Sequence, residues 1–409
     1  MTTPHAAPPL RSSIARPFAA LRAGYLSSLA GRPSFVVSQA VLWLICCALF
    51  LVLWDRWLIE AGPHGPYRWV GMDFAPYWVG TRAMLQGQSP YSLETTLAIQ
   101  QAVFGGPVRP GEDPMKFVYP ATVGILFIPL AVLPLPWAAA LWCGSLLWGG
   151  LNFLGRLATH LGRASLPRMA LWFVLLTASS FPFIVIAVSK GQLVLLSLLT
   201  LVAAWRLWRR NEMAAGVLLA LAALKPTVVL WPVAGLLLWA ARERRWRLWL
   251  SFSVASLGLV ALSQAMIGNW LPDFLQLLQA KGEAPILWGL DLVSWPWKGV
   301  YILLFAMLLL WAAWMAWRGK DPAPWLTGTL LFGLAVSPMR WIYDLLLVWA
   351  VPVLAGAPRR WGSVLLGVAL LSPWGFALIP LPARWTAIVM GVPLFWAGVW
   401  MTLYRPGKG

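Results

Sequence analysis

The sequence predicts an all-α polytopic membrane protein with about twelve transmembrane helices, a half-crossing segment and interfacial helices in its first outer loop. Three observations carry this reading. Hydrophobic residues make up 60% of the chain and charged residues only 11%, whereas soluble domains carry about 25% charged residues. Apolar runs of membrane length recur from end to end, and they are continuous where a β-barrel would alternate. Bases gather in the short loops between those runs, the positive-inside pattern of a multi-span protein.

Taken in order, residues 1–34 read as a Pro-rich, disordered cytoplasmic tail bearing Arg11, Arg16, Arg22 and Arg32. They hold no apolar run with a small-residue cleavage site behind it, so no cleaved signal is expected. Helix-length segments follow at 35–54, 118–134, 137–155, 169–187, 192–208, 213–224, 226–241, 249–268, 299–317, 325–338, 342–356, 361–379 and 385–403. Long polar stretches at 55–117 and 269–298 form two outer loops. Residues 35–403 make one membrane unit without a sequence repeat, and 404–409 are a second cytoplasmic tail.

Both termini carry bases, so both belong inside and the number of full crossings is even. Thirteen segments break that parity. The segment 118–134 is short and holds Pro120, Pro129 and Pro134, so it is the half-crossing element. The remaining segments then place 20 bases and 3 acids inside, against 11 bases and 10 acids outside. Arg156, Arg163 and Arg168 fall on the inner side.

Two segments, 213–224 and 226–241, are too short for an upright span and meet at Lys225-Pro226. A lysine at a helix break either lines a cavity with a counter-ion or snorkels to the interface. In the first outer loop, Phe74 to Gln86 reads as a helix lying on the membrane. Gly87-Gln88-Ser89-Pro90-Tyr91 ends it. Ser92 then caps a second helix with Glu94 in its first turn and Leu93, Leu97 and Val103 towards the apolar side.

Several function classes drop out. The net charge of +18 sits in inter-helix clusters such as Arg206, Arg209, Arg210 and Arg242, Arg244, Arg245, Arg247, so it reports orientation and not a nucleic-acid partner. The 30 Trp suit interfacial belts. Cys46, Cys47 and Cys143 lie inside apolar runs with no metal-ligand spacing. Glu112-Asp113 reads as a solvated loop tip beside Pro114 and Lys116, and His5, His64 and His160 are scattered. No P-loop, dinucleotide fingerprint or nucleophile elbow has the context it needs. Neither a metal nor a cofactor is expected.

Asp73 stands in Gly71-Met72-Asp73-Phe74-Ala75-Pro76-Tyr77, and outer-loop carboxylates are few. Short motifs then follow in order: Gly87 and Pro90-Tyr91, Tyr119-Pro120, Pro129-Leu130 with Leu133-Pro134, Gly191-Gln192, Ala215-Gly216 with Leu224-Lys225-Pro226, and Ser337-Pro338 before Trp341, Tyr343 and Asp344. Together they resemble glycosyltransferase family 87, polyprenyl-phosphate-sugar-dependent membrane enzymes with a C-type fold, over roughly residues 35–360.

That resemblance implies Asp73 as the base, because C-type enzymes draw it from the first outer loop. One carboxylate suffices, since a phosphodiester is already a good leaving group and needs no second carboxylic acid. Lys225, Lys190 and Arg340 are the candidates for the donor phosphate, and Tyr77, Tyr91, Tyr119, Gln192, Tyr343 and Asp344 for substrate contacts. Plainer roles stay open: Asp73 as a helix cap, Lys190 as a solvated turn residue, Gln192 satisfying a helix end, and Arg340 paired with Asp344 four residues on. Many relatives would carry His near Tyr343, where this chain has Asp344.

The implied activity is an inverting transfer of a mannose- or arabinose-like sugar from a polyprenyl-phosphate donor to an extracytoplasmic glycan or glycolipid acceptor. It would take place in a bacterial plasma membrane. The rival is a multi-span transporter or flippase of lipid-linked sugars. A transporter favours broken helices in matching halves, and only one Lys-Pro break is present.

Overall fold

In the computed structural model the described residues are 33–56, 59–62, 65–68, 70–109, 114–162, 165–281, 297–337, 342–355, 391–394 and 396–398. The N-terminal tail to residue 32, Glu112-Asp113, Arg340 and nearly all of the last two apolar segments lie outside them.

The described chain is helical apart from one hairpin. Helix α1 (Pro33–Arg56) leads into strands β1 (Ile59–Gly62) and β2 (Gly65–Arg68), paired antiparallel with Ile59 opposite Arg68 and Gly62 opposite Gly65. The sequence reading expected no strands here. The outer loop continues with α2 (Ala75–Leu85) and α3 (Leu93–Phe104). Then come α4 (Thr122–Ala131), α5 (Leu135–Gly162), α6 (Leu166–Lys190), α7 (Val194–Leu207), α8 (Glu212–Ala222) and α9 (Pro226–Arg242). Helices α10 (Trp246–Ile267), α11 (Leu271–Lys281), α12 (Trp297–Gly319) and α13 (Pro322–Val336) follow, before a 3-10 helix (Ile342–Trp349) and α14 (Ala350–Ala355).

Among the described residues, four helices are long and apolar enough to cross a bilayer: α1, α5, α10 and α12. A fifth span forms if α6, bent by 66° between Leu166–Ala178 and Phe183–Lys190, counts as one. Helix α10 turns Leu250, Val254 and Leu257 outward, Leu257 at 66% exposure, which suits a lipid-facing surface and no aqueous one. Helix α4 has ten residues, a rise of roughly 15 Å, about half the hydrocarbon thickness. Helices α7, α8, α9 and α13 are also short, so the described residues do not supply twelve upright spans.

Local sequence explains several element ends. Ser92 caps α3 by accepting a 3.1 Å hydrogen bond from Thr95 N, and Gly105 closes the helix in the left-handed region. Asn211 caps α8 and Asp321 caps α13 in the same way. Pro226 at the first position of α9 forces the break after Lys225. On α3, Leu93 and Leu97 point away from the protein while Val103 enters the core.

Helix α2 departs from its expected place on the membrane surface. Phe74, Tyr77 and Thr81 are fully buried, because α2 packs against α4, α5 and α10. Tyr77 stacks on Phe127 of α4 with centroids 5.0 Å apart, and Gly80 is filled by the Phe117 ring. Large aromatic surfaces gain more against protein than against lipid, which lacks their complementary shape. The segment carrying α2 is thereby packed into the bundle.

Candidate active site

The turn that carries Asp73 is fixed by the backbone of another helix. Gly71 N donates to Ser189 O at 2.7 Å, and Asp73 N and Phe74 N both donate to Lys190 O at 3.0 Å. Gly71 takes φ +70°, and a Cβ there would lie 2.9 Å from Ala139 Cβ. Gly191 takes φ +80°, and its Cβ would lie 2.8 Å from Phe74 Cβ. Both close approaches need glycine. Trp142 of α5 closes the joint, its Nε1–H donating to Gly191 O at 2.8 Å.

Asp73 directly precedes Phe74, which opens α2 with helical backbone angles and has no capping side chain of its own. The Asp73 carboxylate accepts a hydrogen bond from Gln192 Nε2. Gln192 is buried and follows directly on the Gly191 turn, so one backbone corner positions the lysyl carbonyl under Asp73 and the amide against its carboxylate.

From Gln192 the polar chain runs on into the bundle. Its Oε1 faces Lys225 Nζ and Tyr119 Oη, each at 3.5 Å. Lys225 is 4% exposed, and its ammonium lies 2.5 Å from Asp344 Oδ1, itself fully buried. The Tyr343 ring receives the same ammonium at 4.8 Å from its centroid. Buried Lys225 is thus no snorkelling residue. Its counter-ion is Asp344. Arg340, the partner for Asp344 suggested by the four-residue spacing, lies outside the described residues.

Around this chain lie aromatic side chains. Tyr77 and Tyr119 meet edge to face at 4.9 Å, and Tyr91 Oη donates to Tyr119 O at 2.8 Å. Burial, then Tyr119 and Asp73, push the Tyr77 hydroxyl well above the usual phenol range, and burial likewise raises Tyr91. Both stay protonated at neutral pH and can donate but not act as bases. Asp73 and Tyr119 keep partial exposure while Gln192, Lys225, Tyr343 and Asp344 are buried, so ligands reach the chain from the Asp73 end.

The structure therefore brings together Asp73, Tyr77, Tyr119, Gln192, Lys225, Tyr343 and Asp344. Lys190 contributes its carbonyl to the Asp73 turn and is half-buried. Tyr91 stands one layer out, supporting Tyr119 through that hydrogen bond. Arg340 lies outside the described residues. Sequence reasoning missed Trp142 and Ser189, whose only signal was their place at helix positions facing two glycine turns. Among the described residues no group of three or more His, Cys, Asp or Glu could hold a metal ion.

The family model for glycosyltransferase family 87 matches residues 117–338, more than half of the 409-residue chain. The chain belongs to glycosyltransferase family 87. Family 87 membership and the apolar helices make it a membrane glycosyltransferase, with a sugar donor, an acceptor and a lipid environment as its partners. The matched stretch holds Tyr119, Lys190, Gln192 and Lys225, while Asp73 and Asp344 join them from either side. No curated protein and no solved structure matches this family 87 chain.

Proposed function

We propose that this membrane glycosyltransferase has a C-type fold of about twelve crossings and works at the extracytoplasmic face. It transfers a mannose- or arabinose-like sugar, with inversion, from a polyprenyl-phosphate donor to a glycan or glycolipid acceptor. The observation that carries this reading is Asp73, a partly exposed carboxylate tied through Gln192 to buried Lys225.

Asp73 accepts the proton of the acceptor hydroxyl as that oxygen attacks the anomeric carbon. The bond from that carbon to the phosphate oxygen breaks on the opposite face, and its electron pair leaves with the polyprenyl phosphate. Charge grows on the phosphate, where Lys190, Lys225 and Arg340 are the cations assigned to it. Lys225 with Asp344 is a neutral pair, so it offers N–H donors without a net positive field. An ammonium has three donors and Asp344 takes one. Tyr91 and Tyr119, which keep partial exposure, line the approach to the sugar, with Tyr77 and Tyr343 buried behind them.

The test is incubation of purified protein with labelled polyprenyl-phosphate mannose or arabinose and a glycan acceptor. Label moving to the acceptor supports the reading. Label crossing the bilayer of proteoliposomes while still on the lipid would instead favour the flippase.

A further inference from the structure

The Gln192 side chain meets Asp73 at one end and Lys225 at the other. Its amide has a donating and an accepting end, and each has an opposite partner. The Nε2–H meets the Asp73 carboxylate, and Oε1 faces the Lys225 ammonium and the Tyr119 hydroxyl. Flipping the amide would set oxygen against carboxylate and NH2 against ammonium, so both ends lock one orientation. The backbone gives no slack either: Gln192 N is bonded to Ala187 O at 2.7 Å, directly behind the left-handed Gly191. The residue is 3% exposed, which leaves a water-borne sugar little of it to touch.

We propose that Gln192 is the positioning residue of the Asp73 base, holding its carboxylate plane through an amide whose orientation the Lys225–Asp344 pair fixes. This rests on Asp73 being the base. It replaces a direct sugar contact for Gln192, the role its sequence position suggested. Titratable groups within electrostatic reach of Asp73 include Tyr77 from α2, Tyr119 from the segment before α4, Cys143 from α5, and Tyr343 from the 3-10 helix. The Lys190 carbonyl faces its backbone, and Lys225 and Asp344 stand behind Gln192.

Two substitutions probe the amide. Gln192→Met keeps length and volume and deletes both polar ends. Gln192→Glu keeps the shape and sets a second carboxylate beside Asp73, so the two titrate as a coupled pair with one step moved to higher pH. Two readouts are needed. Infrared titration of the purified protein follows the Asp73 carboxylate band, identified by its loss in Asp73→Asn, and requires no substrate. Steady-state transfer from polyprenyl-phosphate mannose or arabinose gives kcat and donor KM.

The expected result is an Asp73 band that titrates at higher pH in Gln192→Met and higher again in Gln192→Glu. With it, kcat falls ~10²-fold in Gln192→Met, the scale of a misplaced reacting group, while donor KM stays within about threefold. Identical Asp73 titration in wild type and both variants would overturn the proposal. A raised donor KM with unchanged kcat would also overturn it and make Gln192 a substrate contact. Wild-type turnover in Asp73→Asn would sink the base reading separately, leaving the infrared result to judge the contact itself.

Discussion

Lys225 and Asp344 form a buried ion pair, 2.5 Å apart, at the break between α8 and α9. An ion pair at membrane depth is costly unless both partners are satisfied, so removing one member leaves an uncompensated charge. Lys225→Met should therefore destabilise the protein by about 3–5 kcal/mol, read as a lower unfolding midpoint in detergent. The double variant Lys225→Met/Asp344→Leu should regain most of that loss. If Lys225 also contacts the donor phosphate, the folded double variant should still lose about 1.5–3 kcal/mol of donor affinity, the range for hydrogen bonds to charged groups. A double variant with wild-type donor affinity would leave Lys225 only a structural ion.

Gly191 joins the outer loop to the bundle. Gly191→Ala forces a Cβ into the left-handed region and to within 2.8 Å of Phe74 Cβ and 3.1 Å of the Trp142 ring. The backbone term is about 1–2 kcal/mol and the crowding about 1–3 kcal/mol. Expected are a lowered unfolding midpoint and a loss of transfer larger than the stability loss explains, since the Asp73 turn hangs on this joint. Gly155→Ala, with open space around its Cβ, is the control and should behave as wild type.

Orientation is checked by single cysteines in a background without Cys46, Cys47 and Cys143. An impermeant thiol reagent added to intact cells should label a site near Ser89 and fail at sites near Asn211 and Lys320. Labelling near Thr159 from outside would contradict the inner placement of Arg156, Arg163 and Arg168.

Most of the described helices were legible because apolar runs, Pro226 and the Ser92 cap are local signals, while α11 fell in a stretch read as loop. The Lys225-Pro226 break was read from two adjacent residues and is where α9 begins. What the sequence could not display is which distant groups meet. Asp344 and Lys225 are 119 residues apart, as are Gln192 and Asp73, and no spacing rule links them. The four-residue rule pointed only to Arg340, which lies outside the described residues, and gave no hint of Lys225. The hairpin at β1 and β2 was missed because four-residue strands rich in Gly show no alternation to read. Burial of α2 was missed because an aromatic, apolar face suits either lipid or a neighbouring helix.

Asp73→Asn tests the central claim most directly. Asparagine keeps the shape and can still accept from Gln192 Nε2, but it cannot take a proton from the acceptor hydroxyl. Because asparagine keeps the shape and an accepting oxygen, the unfolding midpoint should stay close to wild type. Single-turnover transfer from labelled polyprenyl-phosphate sugar should fall about 10²–10⁴-fold, the usual contribution of a general base. Near-normal turnover in a folded Asp73→Asn variant would contradict the account and move the base elsewhere.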